Sequence, residues 1–333
     1  MTNNCHPELS IIFVNWNSAH YLETAITSTY SHTSGIHFEI IVVDNASPSS
    51  DADSVKKRFP EIQLMKAAVN LGFGRANNLG FQSASGQYVL FLNPDTKLVN
   101  PAINMMLDQL KSMPDRGTIG CKLLNSDLSL QTSCIQTFPT ILNQVLDTDV
   151  LRKRWPASRL WGTKALYSDA VAAAKVEVVS GACLMIRREV FEKVGGFTEE
   201  YFMYAEDLDL CNKVVRAGYH NYYTGGGTVI HYGGGSSQPE SATVMKWRSI
   251  IRYMVLNHSR VYALAFRAAM ILAAMCRLLI LAVARATSGA PASDEFSSYT
   301  KWKAILRTLL GYGGQSDQSA RALSAATGKL KQS

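Results

Sequence analysis

Four acids and one histidine have types and settings that could do chemistry in this chain: Asp44, Asp95, the adjacent pair Glu206 and Asp207, and His231. Asp95 closes the run Tyr88-Val-Leu-Phe-Leu-Asn-Pro-Asp95. Five apolar or aromatic residues between Gly86 and Pro94 predict a short strand buried on both faces. Pro94 has no N–H to give, so the ladder stops and Asp95 stands at the carboxyl end of the strand. In an open α/β sheet that edge binds ligands. A carboxylate there suits Mg2+ or Mn2+, since Mg2+ is typically held by one or two carboxylates plus substrate phosphates. Taken alone, Asn-Pro-Asp-Thr96 reads equally well as a turn.

Phe38-Glu-Ile-Ile-Val-Val-Asp44 repeats the pattern, which brings Asp44 to the same edge. A strand-end Asp about thirty residues into a βαβ unit also suggests the ribose acid of a dinucleotide fold. That fold needs G-x-G-x-x-G after the first strand, and Asn15-Trp-Asn-Ser18 has no glycine, which argues against a nicotinamide dehydrogenase. In Asn70-Leu-Gly-Phe-Gly-Arg-Ala-Asn-Asn78, Gly72 and Gly74 let backbone N–H groups approach a ligand, and a helix start with Arg75 favours phosphate. The Walker lysine pattern is absent, so this is no P-loop. Glu206 and Asp207 follow the aromatic stretch Tyr201-Phe-Met-Tyr204; a helix beginning there places both in its first turn, as caps or as functional carboxylates. His231 ends an apolar strand before Gly233-Gly-Gly235, a setting in which a histidine by itself reads as structural.

The elements that position these residues alternate. Leu9–Asn15 is the first strand, with a loop and N-cap at 16–18 and a helix through Tyr21 to about Tyr30. Strands follow at Phe38–Asp44, Ile62–Ala68 and Tyr88–Leu92, so the expected core is a parallel sheet with helices on its faces. Thr118–Leu124 and Leu128–Ile135 suggest strands or a hairpin. Asn143–Asp169, with Trp155 and Trp161, reads as an acceptor lid or a plain surface loop.

At 333 residues, 47% hydrophobic and 18% charged, the chain can bury a substantial core. Six cysteines without a C-x-x-C pair, and a start with no basic and apolar leader, lead us to expect a reducing cytoplasm. Between Ser241 and Ser293 lie seven bases (Lys246, Arg248, Arg252, Arg260, Arg267, Arg277, Arg285) and no acid. Projected as one helix, they fall within an arc of roughly 160°. Arg267 and Arg277 interrupt Val261–Ala284, which makes it a poor spanning segment and predicts an amphipathic helix lying on an anionic membrane surface. Packing against the rest of the chain or in a homodimer is the alternative. No motif accompanies the charge that would suit nucleic acid.

Val14-Asn-Trp-Asn17, Val42-Val-Asp-Asn-Ala-Ser47, Asn70–Asn78 and Phe91-Leu-Asn-Pro-Asp95 together resemble the family 2 glycosyltransferases of the GT-A fold, in particular their bacterial rhamnosyltransferase-like branch. The resemblance covers about residues 9–235. It implies a Rossmann-like, mostly parallel sheet with Asp44 on the nucleotide base. Asn15, Asn17, Asn70, Gly72, Gly74, Arg75, Asn78 and Asn93 are then nucleotide-sugar contacts, and Asp95 with His231 holds the divalent metal. Asn93 stands where the family's general motif has its first Asp. Inverting transfer needs one carboxylate on the sugar face opposite the leaving group. The resemblance places that base in the Glu206-Asp207 pair, and Asp207 is our choice, with Glu206 as an acceptor contact or support. The implied reaction moves a sugar from a dTDP- or UDP-sugar to a lipid-linked glycan at the inner face of the cell membrane. A non-catalytic, membrane-bound assembly protein that keeps the fold is the rival reading. The expected division is a transferase domain over 1–240 (donor half 9–100, acceptor half 101–240), a basic helical region over 241–310 and a flexible tail over 311–333.

Overall fold

Seven consecutive buried residues form β1 (Leu9–Asn15), and Ile40–Asp44 are the buried part of β2 (Phe38–Asp44). With both faces covered, neither strand needs to alternate toward water. The two pair in parallel with Asn15 opposite Asp44, so two polar side chains finish side by side at one edge. The other strands are β3 (Gln63–Lys66), β4 (Tyr88–Leu92), β5 (Thr96–Leu98), β6 (Arg116–Leu124), β7 (Ile135–Gln136), β8 (Ala174–Val176), β9 (Val178–Val179), β10 (Cys183–Arg187) and β11 (His220–His231). The helices are α1 (Ala19–His32), α2 (Asp51–Arg58), α3 (Phe73–Ser83), α4 (Ala102–Ser112), α5 (Ile141–Leu146), α6 (Asp149–Arg154), α7 (Arg188–Lys193), α8 (Glu206–Arg216), α9 (Pro239–Asn257), α10 (Arg260–Ser288) and α11 (Ser298–Gly311). This computed structural model describes residues 6–48, 51–112, 114–167, 172–233, 239–288 and 298–311.

Nine strands make one sheet in the order β3-β2-β1-β4-β10-β6-β11-β5, with β8 on β11, while β7 and β9 pair apart. The strands β3, β2, β1, β4, β6 and β11 run one way and β10, β5 and β8 the other, giving the mostly parallel α/β sheet the sequence predicts. On one face Ala76 of α3 packs with Val14 and Val43. Gly80 is required for that approach, because a Cβ there would come 2.7 Å from Ile12 Cγ2. Behind β4, the Phe91 ring lies 5.0 Å from Phe191 and 4.8 Å from Phe197, which anchors α7 and the loop after it.

The chain divides into two units. The first contains all the strands, together with α1 to α4 and α6 to α8. The second takes Pro139–Thr148, Glu200–Ala205 and the helices after β11. Within this second unit α10 buries Phe266, Met270 and Ala274, a stripe at four-residue spacing, and packs with α5, α9 and α11.

Several expectations are refined. Leu128–Ile135 is no continuous strand: Leu128 has φ +66° in a turn that an antiparallel Leu124–Leu130 bridge closes as a short hairpin, and Thr132–Cys134 is a single 3-10 turn before β7 begins at Ile135. The basic helix is two helices, because α9 ends at Asn257 and Ser259 starts α10 by accepting the Tyr262 N–H on its hydroxyl. A single arc through Lys246 and Arg285 therefore does not exist. Arg267 and Arg277 both find carbonyl partners within the second unit. Arg267 Nε donates to Leu309 O at 2.7 Å, and Arg277 Nη2 donates to Val145 O at 2.6 Å while its guanidinium stacks 4.0 Å over the Trp302 ring. Residues Arg260–Ala284 form a helix long and apolar enough to cross a membrane, with mean hydropathy 2.1, by length and composition. The described part of Asn143–Asp169, expected as an acceptor lid or a surface loop, holds most of α5, α6 and a 3-10 turn at Thr163–Tyr167. Gly234, Gly235 and the tail beyond Gly311 lie outside the described residues.

Candidate functional site

Asn15 is fully buried at the end of β1, and its Nδ2 donates to Asp44 Oδ1 at 3.2 Å and to Ser47 Oγ at 3.3 Å. Ser47 Oγ donates in turn to Asp44 Oδ1 at 2.6 Å, and Ser18 Oγ donates to Asn15 Oδ1 at 3.0 Å. Ser18 thus sits at the N-cap position of α1 but gives its hydroxyl to the strand end. Asn17 and Ala46 take left-handed φ of 52° and 59°, strain of the kind that gathers at functional loops. The backbone N–H of Asn17 donates to Ser47 Oγ, which closes the corner around the Asp44 carboxylate.

Asn45 continues the edge. Its Nδ2 donates to Asn70 Oδ1 at 3.0 Å and Gly72 O at 3.2 Å, and its Oδ1 accepts the Leu71 N–H at 2.8 Å. Gly72, at φ 78°, needs the freedom of glycine, and its N–H is already taken by Asn70 Oδ1 at 2.9 Å. The remaining residues of this loop hold structure: a Cβ on Gly74 would come 3.1 Å from Phe197 Cβ, Asn78 exchanges two hydrogen bonds with the Phe197 backbone, and Arg75 Nε donates to Glu199 O. Asn45 and Ser47 lie inside the motif Val42–Ser47 yet were absent from the sequence-predicted site. Their signal was a run of short polar residues right after a buried strand.

Asp95 and His231 are brought together by sheet pairing. β5 starts right after Asp95 and runs antiparallel to the end of β11, with Thr96 opposite His231 and the Tyr232 N–H donating to Asp95 O at 2.9 Å. His231 Nε2 stands 3.3 Å from Asp95 Oδ1 and 3.2 Å from Asn93 Nδ2. Burial would raise the Asp95 carboxyl, but the hydrogen bond and charge of His231 outweigh it and hold the group below the usual carboxylate range. Asn93 Oδ1 is buried with no hydrogen-bond partner, an orphan acceptor in a polar corner. A carboxylate, an orphan amide oxygen and a ring nitrogen form a donor set that fits a divalent cation. Among the described residues no three of His, Cys, Asp and Glu converge, so a cation here would draw on the amide and on substrate oxygens.

The Glu206-Asp207 pair opens α8 as expected, after two left-handed residues, Tyr204 (φ 68°) and Ala205 (φ 63°). Asp207 Oδ2 accepts the Gly181 N–H at 3.0 Å and Oδ1 accepts the Leu208 N–H at 2.8 Å. Gly181 leaves little room, since a Cβ there would come 3.3 Å from Asp207 Cβ and 3.4 Å from the Phe73 ring. One residue on, Ala182 O accepts the Asn93 N–H at 2.9 Å, so a single turn ties Asp207 to the Asn93–Asp95 corner. Glu206 differs from its neighbour: it is 6% exposed, its Oε2 meets no partner, and burial, with the Asp207 charge adding, pushes its carboxyl up to about 8. Glu206 is therefore neutral at pH 7. Asp209 is a clamp, accepting from Thr198 Oγ1 and facing Lys213.

The family profile described as Glycosyl transferase family 2 matches residues 10–195. Over 266 residues the chain is 28% identical to an N-acetylglucosaminyl-diphospho-decaprenol L-rhamnosyltransferase of Mycobacterium tuberculosis, covering 75% of this chain and 85% of that protein. It is 25% identical over 229 residues to the rhamnosyltransferase WbbL of Escherichia coli, covering 66% and 82%. Among solved structures, a mannosyltransferase of Pyrobaculum calidifontis in complex with GDP-Man and Mn2+ shares the fold with a TM-score of 0.56 at 17% identity, over 92% of this chain and 86% of that one. With a GT-A sheet, polar strand ends gathered at one edge and a profile match over more than half its length, the chain belongs to glycosyl transferase family 2 and is a glycosyltransferase.

Proposed function

We propose that this glycosyltransferase moves a sugar, rhamnose by analogy with the relatives, from a nucleoside diphosphate donor to a hydroxyl of a lipid-linked glycan, with inversion at the anomeric carbon. The observation that supports the reading is the turn at Gly181 and Ala182, whose Gly181 N–H donates to Asp207 and whose Ala182 O accepts the Asn93 N–H, setting a carboxylate that can act as base beside the Asn93–Asp95 corner. Asp44, ordered by Asn15 and Ser47, receives donors on the base. Asp207 takes the proton of the acceptor hydroxyl as its oxygen bonds to the anomeric carbon; the bond to the diphosphate breaks on the opposite face, and the electron pair leaves with the phosphate. Asp95, His231 and Asn93 Oδ1 would hold a Mg2+ or Mn2+ ion, which when bound neutralises charge on the departing diphosphate. The backbone N–H groups at Gly181 and Leu208 keep the Asp207 carboxylate oriented throughout.

We also propose that the protein works peripherally on the cytoplasmic face of the membrane and binds there through α10. With Arg267 and Arg277 engaged to carbonyls, the exposed large side chains from Val261 to Val283 (Leu264, Leu272, Met275, Leu279 and Ile280 among them) are all apolar. Lys301, Lys303 and Arg307 are exposed on α11 and would meet anionic headgroups.

Both readings are tested by one assay, with a polyprenyl-diphospho-sugar acceptor in phosphatidylglycerol vesicles and a panel of dTDP- and UDP-sugars. We expect elongated lipid in a donor-dependent manner, and flotation with the vesicles that persists in high salt. Leu272→Glu with Leu279→Glu should release the protein while donor binding is kept. A protein that binds no nucleotide sugar, or that elongates nothing, removes the transfer reading. One that stays in solution as a dimer, and splits on the same substitutions, removes the membrane reading.

A further inference from the structure

We infer that a relay of side-chain hydrogen bonds from Asp127 fixes Nδ1 as a protonated nitrogen of His231 and turns Nε2 toward Asp95, an inference that rests on reading Asp95 and His231 as a cation site. The relay starts in the turn after β6, at an acceptor that has no proton to give. Ser129 Oγ donates to Asp127 Oδ1 at 2.5 Å, and the Ser129 N–H reaches the same oxygen at 3.0 Å. These bonds hold the Asp127 carboxyl below its ordinary range, which keeps it ionised and acceptor-only at neutral pH. Its proton committed, Ser129 Oγ accepts from Asn125 Nδ2 at 2.9 Å. That orients the Asn125 amide, whose Oδ1 accepts from Gln131 Nε2 at 3.0 Å. Gln131 Nε2 also points at His231 O at 3.4 Å, which reinforces the same orientation. Gln131 Oε1 is thereby left facing His231 Nδ1 at 2.8 Å.

A carboxamide oxygen can only accept, so Nδ1 carries a proton and Nε2 is the nitrogen aimed at Asp95. The backbone pins the turn as well, through Leu128 N–H to Asn125 O at 2.9 Å, Asn125 N–H to Ser129 O at 2.8 Å and Gln131 N–H to Leu123 O at 2.9 Å. The result is an imidazole held with Nε2 3.3 Å from a carboxylate oxygen, the nitrogen that would face a cation shared with Asp95. Gln131 is thus a positioning residue for the cation site, in the way that partners of ligating histidines fix tautomer and ring orientation.

The experiment uses the full-length protein labelled with 15N-histidine, without metal, the His231 signals being assigned by their loss in His231→Asn; ring 15N shifts and couplings report the tautomer. Mn2+ affinity is measured separately by electron paramagnetic resonance. We expect wild type to show the Nδ1–H form. Gln131→Leu should shift the ring toward Nε2–H and weaken Mn2+ roughly tenfold or more. Gln131→Glu keeps an acceptor facing Nδ1 and should keep the Nδ1 proton, while losing the donation to Asn125 Oδ1. Asp127→Asn, on an exposed turn, should mix the tautomers with the fold intact. Wild type in the Nε2–H form, or a Gln131→Leu protein with unchanged tautomer, overturns the relay. A wild type with Nδ1–H that takes up no Mn2+ leaves the relay standing and removes the cation reading instead.

Discussion

Asp207→Asn lowers turnover by roughly a hundredfold or more while the affinity for the nucleotide-sugar donor holds. Asparagine keeps the size of the side chain and can still accept the Leu208 or Gly181 N–H, so α8 and the turn at Gly181 keep a partner. What it loses is the ability to take a proton. The check is steady-state transfer beside calorimetric donor binding; a donor affinity that falls in step with rate would mean that Asp207 holds structure. Glu206→Gln gives the contrast. Burial already keeps Glu206 neutral at pH 7, so an uncharged isostere changes little in rate there. For a carboxyl raised to about 8 in the folded state, the contribution to stability is present below the unfolded value and is lost as pH rises through about 8. Wild type should therefore lose stability across that window, and Glu206→Gln should flatten the loss. A ranking in which Glu206→Gln is the more damaging change to rate would exchange the two roles.

Asp95→Asn abolishes Mn2+ binding and brings transfer down to the level of the chelated wild type. The substitution removes the charged oxygen 3.3 Å from His231 Nε2 and leaves an amide beside the Asn93 amide, two neutral ligands where one was charged. EDTA silences the wild type, and Mn2+ or Mg2+ restores it. His231→Ala should raise the metal concentration needed for half-maximal rate without destroying the sheet, since β11 pairs with β5 through backbone groups there. Full activity in EDTA, or an unchanged metal requirement in His231→Ala, would contradict the cation site and leave Asp95 and His231 as a structural pair.

The edge of the sheet was legible because it is written locally. An apolar run ending in a polar residue places Asn15, Asp44 and Asp95, and Pro94 ends the strand where the chemistry begins. The start of α8 was legible for a similar reason, from acids following an aromatic stretch. What could not be read depends on partners distant in sequence. Gln131 has no periodic setting and meets His231 across 100 residues. Arg267 and Arg277 look like lipid-facing charges on a projection, but their carbonyl partners lie 42 and 132 residues away. The break before α10 had a local signal that was passed over: Ser259 is an N-cap residue, and a serine inside an otherwise helical run is a place to look for a new start.

The central claim is inverting transfer by a carboxylate opposite the leaving group, and the anomeric configuration of the product reads it directly. The elongated lipid made from the accepted donor is released and its new linkage assigned by one-bond carbon–proton coupling at the anomeric centre. The account predicts the configuration opposite to that of the donor. A product that retains the donor's configuration would contradict it, because Asp207 as the sole base cannot give retention in a single displacement.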